Sequence, residues 1–378
     1  MNLITVVGAG PIGLSTAIGL KEEGWETTVI EEHPEIGKPV NCAGLISKSG
    51  VEENRIKLNG EVIVNKINGA KIFSPNKTIL KLEKKNVALV IDREKFDKRL
   101  YSEAKKKGVE ILTETKLIDV RNETLFIQYR QRGEMLKSKI LIGADGVNSR
   151  VRHLMNLEVK PQNFVYSFQV RGRGSFEDKF VEMHFGDHSK GFFAWVIPES
   201  KEIARIGVGV EHGMNSRHSL QEFLREREIE VIEESASMIP IGKPIKEIVK
   251  ENMMLVGDAA FQTKATSGGG IITGSIAAKA AAKSISNHLK HKVPLTDYLK
   301  ELNPLNRELE LHWKIRKYFN SLNEGQLNKL FLKLKNAGIE EFLEEHGDMD
   351  VPSKFLNKML FSPKKWSLLP MGLRIMMK

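Results

Sequence analysis

One cysteine, Cys42, occurs in 378 residues. That excludes an internal disulfide, a cysteine-built zinc site and an iron–sulfur cluster held by cysteines of this chain. No apolar run reaches the roughly 18 residues that a membrane-crossing helix needs. The ten histidines, among them His184, His188 and His212, lack the HExxH spacing of a helical zinc site, so no metal is expected. Helix-turn-helix, RNA-recognition and zinc-finger patterns are also missing. The formal charge of +10 therefore points away from nucleic acid, toward an anionic membrane surface or a phosphorylated substrate. Met1 leads straight into an apolar run, with no room for a signal peptide; with the lone thiol this predicts a cytoplasmic protein. What is present suits an enzyme. Hydrophobic residues make up 41% of the chain, enough for a core, and the length predicts two or three domains.

Four segments stand out: VVGAGPIG at Val6–Gly13, VIEE at Val29–Glu32, IGADGVNSRVR at Ile142–Arg152 and VGDAAFQTKATSGGG at Val256–Gly270. Leu3–Val7 reads as a buried parallel strand, and Pro11 to Lys21 as the helix after it. Between them Gly8 permits the tight turn, Gly10 lets a phosphate approach and Gly13 lets helix and strand pack closely. The helix start offers unpaired N–H groups to a pyrophosphate. A second strand, Thr27–Ile30, ends at Glu31, 23 positions after Gly8. A carboxylate there accepts from ribose hydroxyls and repels a 2′-phosphate, which favours FAD or NAD over NADP. Asp258 follows the strand Met253–Val256 and precedes a glycine-rich helix start, a second phosphate-cofactor signal. Asp145 and Gly146 either shape a cofactor turn or simply close one, and Arg150 and Arg152 alternatively form a solvated face.

The chain alternates between two patterns. Residues 1–60, 92–158 and 247–293 read as a discontinuous dinucleotide-binding domain, with a loop through Gly37–Gly50 and a helix at Arg93–Lys107. Residues 61–91 and 159–246 read as a β-rich substrate domain, with strands at Glu61–Ile67, Ala70–Phe73, Phe164–Arg171, Phe192–Ile197 and Arg205–Val210 and a helix at Ser219–Arg227. Residues 294–378 read as a helical C-terminal region. Its last 28 positions, Val351–Lys378, carry Lys354, Lys358, Lys364, Lys365, Arg374 and Lys378 without one acidic residue, among Trp, Phe, Leu and Met. Pro363 and Pro370 break the segment, which is too short and too charged to span a bilayer. It suits a peripheral membrane anchor; the alternative is an apolar tail docked on its own domain.

GADGVNSRVR and GDAAFQTKATSGGG resemble segments of the flavoprotein hydroxylases and their relatives, and IDREKFDKRL resembles their arginine-bearing helix start. Two further runs resemble the geranylgeranyl reductase family, above all its archaeal members: IGKPVNC in the loop after Glu31–Glu32, and FAWVIP at Phe193–Pro198. The resemblance implies a p-hydroxybenzoate-hydroxylase-like α/β fold, with a Rossmann-type FAD-binding domain, a β-rich substrate domain and a helical C-terminal region. It implies FAD held by Gly8, Gly10, Ile12, Gly13, Glu31, Cys42, Ala43, Leu45, Arg93, Val120, Asp145, Gly146, Asp258, Gly269, Gly270 and Ile271. Cys42 is the candidate catalytic residue, although lone thiols are often inert apolar fillers. Phe193, Trp195 and Pro198 are the candidate substrate contacts, although two aromatics two apart on a strand also suit ordinary core. The chain departs from the family where many members have Cys-Gly-Glu and it has Cys42-Ala43-Gly44. It also has Ile197 for an aromatic residue, and Lys190 for a proline found in some relatives.

The activity implied is reduction of isolated C=C bonds in geranylgeranyl chains of isoprenoid membrane-lipid precursors. The electron donor is left open between ferredoxin, a reduced nicotinamide and a deazaflavin, since a second complete nucleotide fingerprint is missing. An FAD-dependent aromatic hydroxylase or an electron-transfer flavoprotein would carry the same flavin motifs.

Overall fold

The computed structural model describes residues 3–360 together with Leu368, Gly372 and Ile375. The chain opens with β1 (Ile4–Val7), α1 (Pro11–Glu22) and β2 (Thr27–Ile30), all-buried strands of β-branched residues around an N-terminal helix. β3 (Leu45–Ser47) and α2 (Lys48–Glu53) lead to two long strands, β4 (Ile63–Phe73) and β5 (Ile79–Ile91). Then come α3 (Arg93–Lys106), β6 (Glu110–Leu112), β7 (Thr115–Arg121), β8 (Thr124–Tyr129), β9 (Arg132–Lys137), β10 (Ile140–Gly143) and α4 (Arg150–Leu154). β11 (Phe164–Arg173), β12 (Phe180–His184), β13 (Ala194–Pro198), β14 (Ile203–Val210), α5 (Ser216–Leu224) and β15 (Glu230–Pro240) form the middle of the chain. β16 (Val249–Lys250), β17 (Met253–Leu255) and α6 (Ile271–His291) return to the first pattern. The C-terminal helices are α7 (Asp297–Glu301), α8 (Asn303–Asn320), α9 (Glu324–Asn336), α10 (Ile339–His346) and α11 (Pro352–Leu360).

A six-stranded sheet runs β16-β17-β10-β1-β2-β6, parallel except for the β16–β17 pair. An eight-stranded sheet runs β15-β11-β14-β13-β12-β4-β5-β3 and is antiparallel except between β12 and β4. A small meander, β7-β8-β9, completes the sheets of the described residues. The parallel sheet, α1, α3 and α6 bury the largest apolar core, and Phe96, Leu100 and Ala104 supply the face of α3 that enters it.

Local detail departs from the sequence pattern in three places. The loop expected through Gly37–Gly50 ends early, because Leu45–Ser47 pairs with Val90–Ala88 and Ser47 caps α2 by accepting from Gly50 N. β3 thereby joins the eight-stranded sheet, although it lies in a stretch read as dinucleotide-binding. The two short strands expected within Glu61–Phe73 are one, continuous through register shifts at Ile63/Asn65 and Ile67/Gly69. The helix expected at Ser219–Arg227 starts earlier, where the Asn215 side chain accepts from His218 N.

Candidate active site

The first glycine turn is shaped by close packing. Gly8 has φ of +100°, and a Cβ there would stand 2.5 Å from the Ala144 carbonyl oxygen. A Cβ on Gly13 would stand 1.9 Å from Gly8 O. Gly10 differs: nothing lies within 4 Å of its Cβ position. The backbone at Gly10 therefore faces open space, at the start of a helix whose first turn is capped by no side chain. Glu31 closes one side of this cradle. Its carboxylate accepts from Ala9 N at 2.8 Å and from His33 N at 2.9 Å, which fixes it beside the turn with lone pairs to spare for a ribose.

The last glycine segment meets the first. Ile12 packs on Gly257 of it and on Gly274 of α6, since Cβ positions there would lie 3.2 and 2.6 Å from its side chain. α6 begins after Gly270, again without a side-chain cap. Asp258 lies beside that start: its Oδ1 would be 2.8 Å from a Cβ on Gly270 and accepts from Thr263 Oγ1 at 3.0 Å. Burial pushes the Asp258 carboxyl up, while Thr263 and the Arg93 charge pull it down. A glycine cradle, two helix starts without side-chain caps and two placed carboxylates fit FAD. Gly269, Gly270 and Ile271 lie at the second helix start, Gly8, Gly10 and Gly13 at the first.

Asp145 uses its carboxylate within its own turn. Oδ1 accepts from Ser149 Oγ at 2.6 Å and Oδ2 from Val151 N at 3.0 Å, which ties down the start of α4 and leaves Gly146 at φ +72°. Val120, on β7, packs against the Rossmann core. Arg150 is exposed and donates to Ile118 O. Arg152 is buried, which departs from the solvated-face alternative. Its guanidinium donates to Val147 O at 2.7 Å and Ala259 O at 3.1 Å, joining the third and fourth motifs.

The cysteine loop docks on the start of α3. Gly44 N donates to Cys42 Sγ at 3.4 Å, and Ile91 N donates to Gly44 O. Arg93 donates from Nε and Nη2 to Asp97 at 3.2 and 3.0 Å. Burial alone would lower the Arg93 guanidinium, but Asp97 and then Cys42 outweigh it, so its pKa is raised and the charge is fixed beside the thiol. Ala43 and Leu45 pack against an apolar cluster that holds Phe193, just before β13, Trp195 and Ile197 of β13, and Ala265 of the last glycine segment. The aromatic strand thus shares one apolar cluster with both loops. Trp195 lies across Gly207, where a Cβ would stand 2.3 Å from its Cζ2. Pro198 is not brought to this face; it ends β13 out of phase with Trp195, and its carbonyl accepts from Asn65 Nδ2 at 2.9 Å.

Sequence reasoning missed a second layer. Arg316 of α8 donates to Ala265 O at 2.9 Å and Thr266 O at 2.8 Å, with its guanidinium 4.2 Å from the Phe192 ring centroid. Burial brings its pKa down to about 9, so it stays charged at neutral pH. His312, one turn earlier, shares a hydrogen bond of 2.6 Å with Thr266 Oγ1, and burial pushes it down to about 4. The signal existed: both sit at helical spacing with Leu305 and Leu309 on the buried face of α8. Lys264, Asp350 and Ser47 form a further buried group, and nothing in the sequence links positions so far apart.

Residues 2–301 match the FAD-binding domain family. The chain is 31% identical to an uncharacterised protein of Methanocaldococcus jannaschii, over 95% of each. It is 27% identical to the digeranylgeranylglycerophospholipid reductase of Methanothrix thermoacetophila, over 95% of this chain and 97% of that one. Among solved structures, a geranylgeranyl bacteriochlorophyll reductase-like protein from Thermoplasma acidophilum superposes with a TM-score of 0.83 at 22% identity, covering 97% of this chain and 98% of that one. The chain belongs to the FAD-binding domain family and is an FAD-dependent oxidoreductase. Over nearly its whole length it is similar to archaeal digeranylgeranylglycerophospholipid reductases.

Proposed function

We propose that the chain saturates C=C bonds of geranylgeranyl chains in isoprenoid membrane-lipid precursors. The observation that carries this reading is the apolar wall of Phe193, Trp195 and Ile197, continuous with Ala43, Leu45 and Ala265 of the two flavin loops. An isolated alkene offers no charge to grip, so it must be held by buried area, at about 0.8 kcal/mol per methylene. Bound and reduced, FAD supplies a hydride to one carbon of the double bond. The chain's own part is to orient the prenyl chain, exclude water and deliver a proton to the other carbon. Cys42, or a water ordered beside it, is the proposed proton source, and Arg93 holds a positive charge against that loop. An external donor would have to supply two electrons per double bond: two ferredoxin molecules at one electron each, or one hydride from a reduced nicotinamide or a reduced deazaflavin.

We place the protein in the cytoplasm with peripheral membrane contact through its basic, apolar C-terminus. Among the described residues no helix is long and apolar enough to cross a membrane. Most of Phe361–Lys378 lies outside the described residues; Leu368 and Ile375 are described and are buried in the helical-region core with Phe331 and Leu334.

The deciding experiment is mass spectrometry of a geranylgeranyl lipid after incubation with the dithionite-reduced protein. Gain of two hydrogens per double bond is expected. If the reduced protein instead consumes oxygen stoichiometrically and hydroxylates an aromatic acid, the reductase reading fails.

A further inference from the structure

The C-terminal region reaches both flavin loops through one buried ion pair. Lys264 lies inside the last glycine segment, and its Nζ donates to Asp350 Oδ1 at 2.5 Å and to Met349 O at 3.3 Å. The two side chains are 6% and 8% exposed. The other oxygen of Asp350 accepts from Ser47 Oγ, two positions past Leu45 in the cysteine loop. Asp350 thereby ties the cysteine loop to the glycine-rich loop, and the His312 imidazole meets its backbone carbonyl at 3.2 Å.

Removing two charges from water is unfavourable enough that a buried pair is a poor device for stability alone. Its position suggests what else it does. Cε and Nζ of Lys264 lie 2.8 and 3.2 Å from where a Cβ of Gly269 would stand. The ammonium is therefore pressed against the glycine start of α6, where the dipole of a 21-residue helix is also positive. The carboxylate is the more distant charge of the pair, since the three atoms nearest that point belong to Lys264 and Ser267.

We propose that Lys264 and Asp350 are positioning residues that set the reduction potential of the bound flavin, Lys264 raising it and Asp350 restraining it. Two electrons and one proton leave one negative charge on the flavin ring. A fixed cation at Gly269 favours that reduced form, and the carboxylate behind it offsets part of the effect. The inference rests on FAD lying against Gly269–Ile271 and is independent of the lipid substrate.

The test is the midpoint potential of FAD-loaded protein, measured by equilibration with reference dyes at pH 7. Lys264→Met should lower the potential and Asp350→Asn should raise it, while Lys264→Arg, which keeps the charge, should stay near wild type. Opposite signs are the signature, because a purely structural role would move both variants the same way. Shifts of the same sign, or none while the visible spectrum shows FAD still bound, overturn the proposal and leave the reductase reading standing. Should Lys264→Met fail to hold FAD, Asp350→Asn and Lys264→Arg decide alone: a lowered or unchanged potential in Asp350→Asn overturns it.

Discussion

At the scale of single residues, glycines that look alike in sequence do different work. Gly8→Ala adds a Cβ against Ala144 O at a positive φ, a strain of about 1–3 kcal/mol. Urea unfolding of the apoprotein should show that loss directly. Gly10→Ala meets nothing in the protein, so the apoprotein should unfold as wild type does, yet FAD titration should show weakened binding. Equal FAD affinity in Gly10→Ala and wild type would mean that the cofactor does not pass over this turn. Glu31→Ala and Asp258→Ala should each weaken FAD binding, by about 0.5–3 kcal/mol for a lost hydrogen bond. Heat-released cofactor from the wild type, identified by mass, should be FAD. These positions were legible in the sequence because a phosphate cradle needs particular residue types at fixed short spacings. Asp145 shows the limit of that legibility: its position was readable, but not that both its oxygens would serve Ser149 and Val151.

At the scale of elements, two consequences follow from packing across strands and helices. Gly207 of β14 lies beneath the Trp195 ring, and Gly207→Ala would push that ring away from the flavin loops. Turnover of a prenyl substrate should fall severalfold while the flavin absorbance per protein stays constant. α8 carries the other consequence. His312 is buried and neutral, facing Lys264, Asp350 and Asp348, with its folded pKa brought down to about 4 from an ordinary 6.5. Between those values the unfolded chain binds the extra proton, so stability is full above about pH 6.5 and declines toward pH 4, by up to about 3 kcal/mol. Unfolding midpoints across that range should flatten in His312→Gln, and an unchanged slope would locate the titration elsewhere. The pattern of apolar residues announced α8 and its buried face, because period 3.6 is local. It did not announce that an arginine on that face would hold the carbonyls of Ala265 and Thr266 and a histidine the Thr266 hydroxyl, because that pairing is set by tertiary packing. The same reason hid β3, whose pairing with β5 exists only once the sheet has formed.

At the scale of the whole molecule, the basic C-terminus gives a prediction of its own. Full-length protein should co-sediment with anionic liposomes at low salt and release at high salt, with about 1 kcal/mol contributed per basic group near the surface. Lys364→Glu with Lys365→Glu should weaken that binding without changing FAD content. Protein that stays in the supernatant at low salt would place the tail with the enzyme alone. A different property follows from Ile12 seated against Gly257 and Gly274. The first helix of the chain packs on β1, β2 and α3 early, but α6 reaches it only after some 260 further residues have been made, and β1 also waits for β10. At about 5–20 residues per second, a ribosome leaves the side of α1 that α6 covers open for roughly 13–50 s. FAD has no complete site to enter until the last glycine segment and the start of α6 have been made.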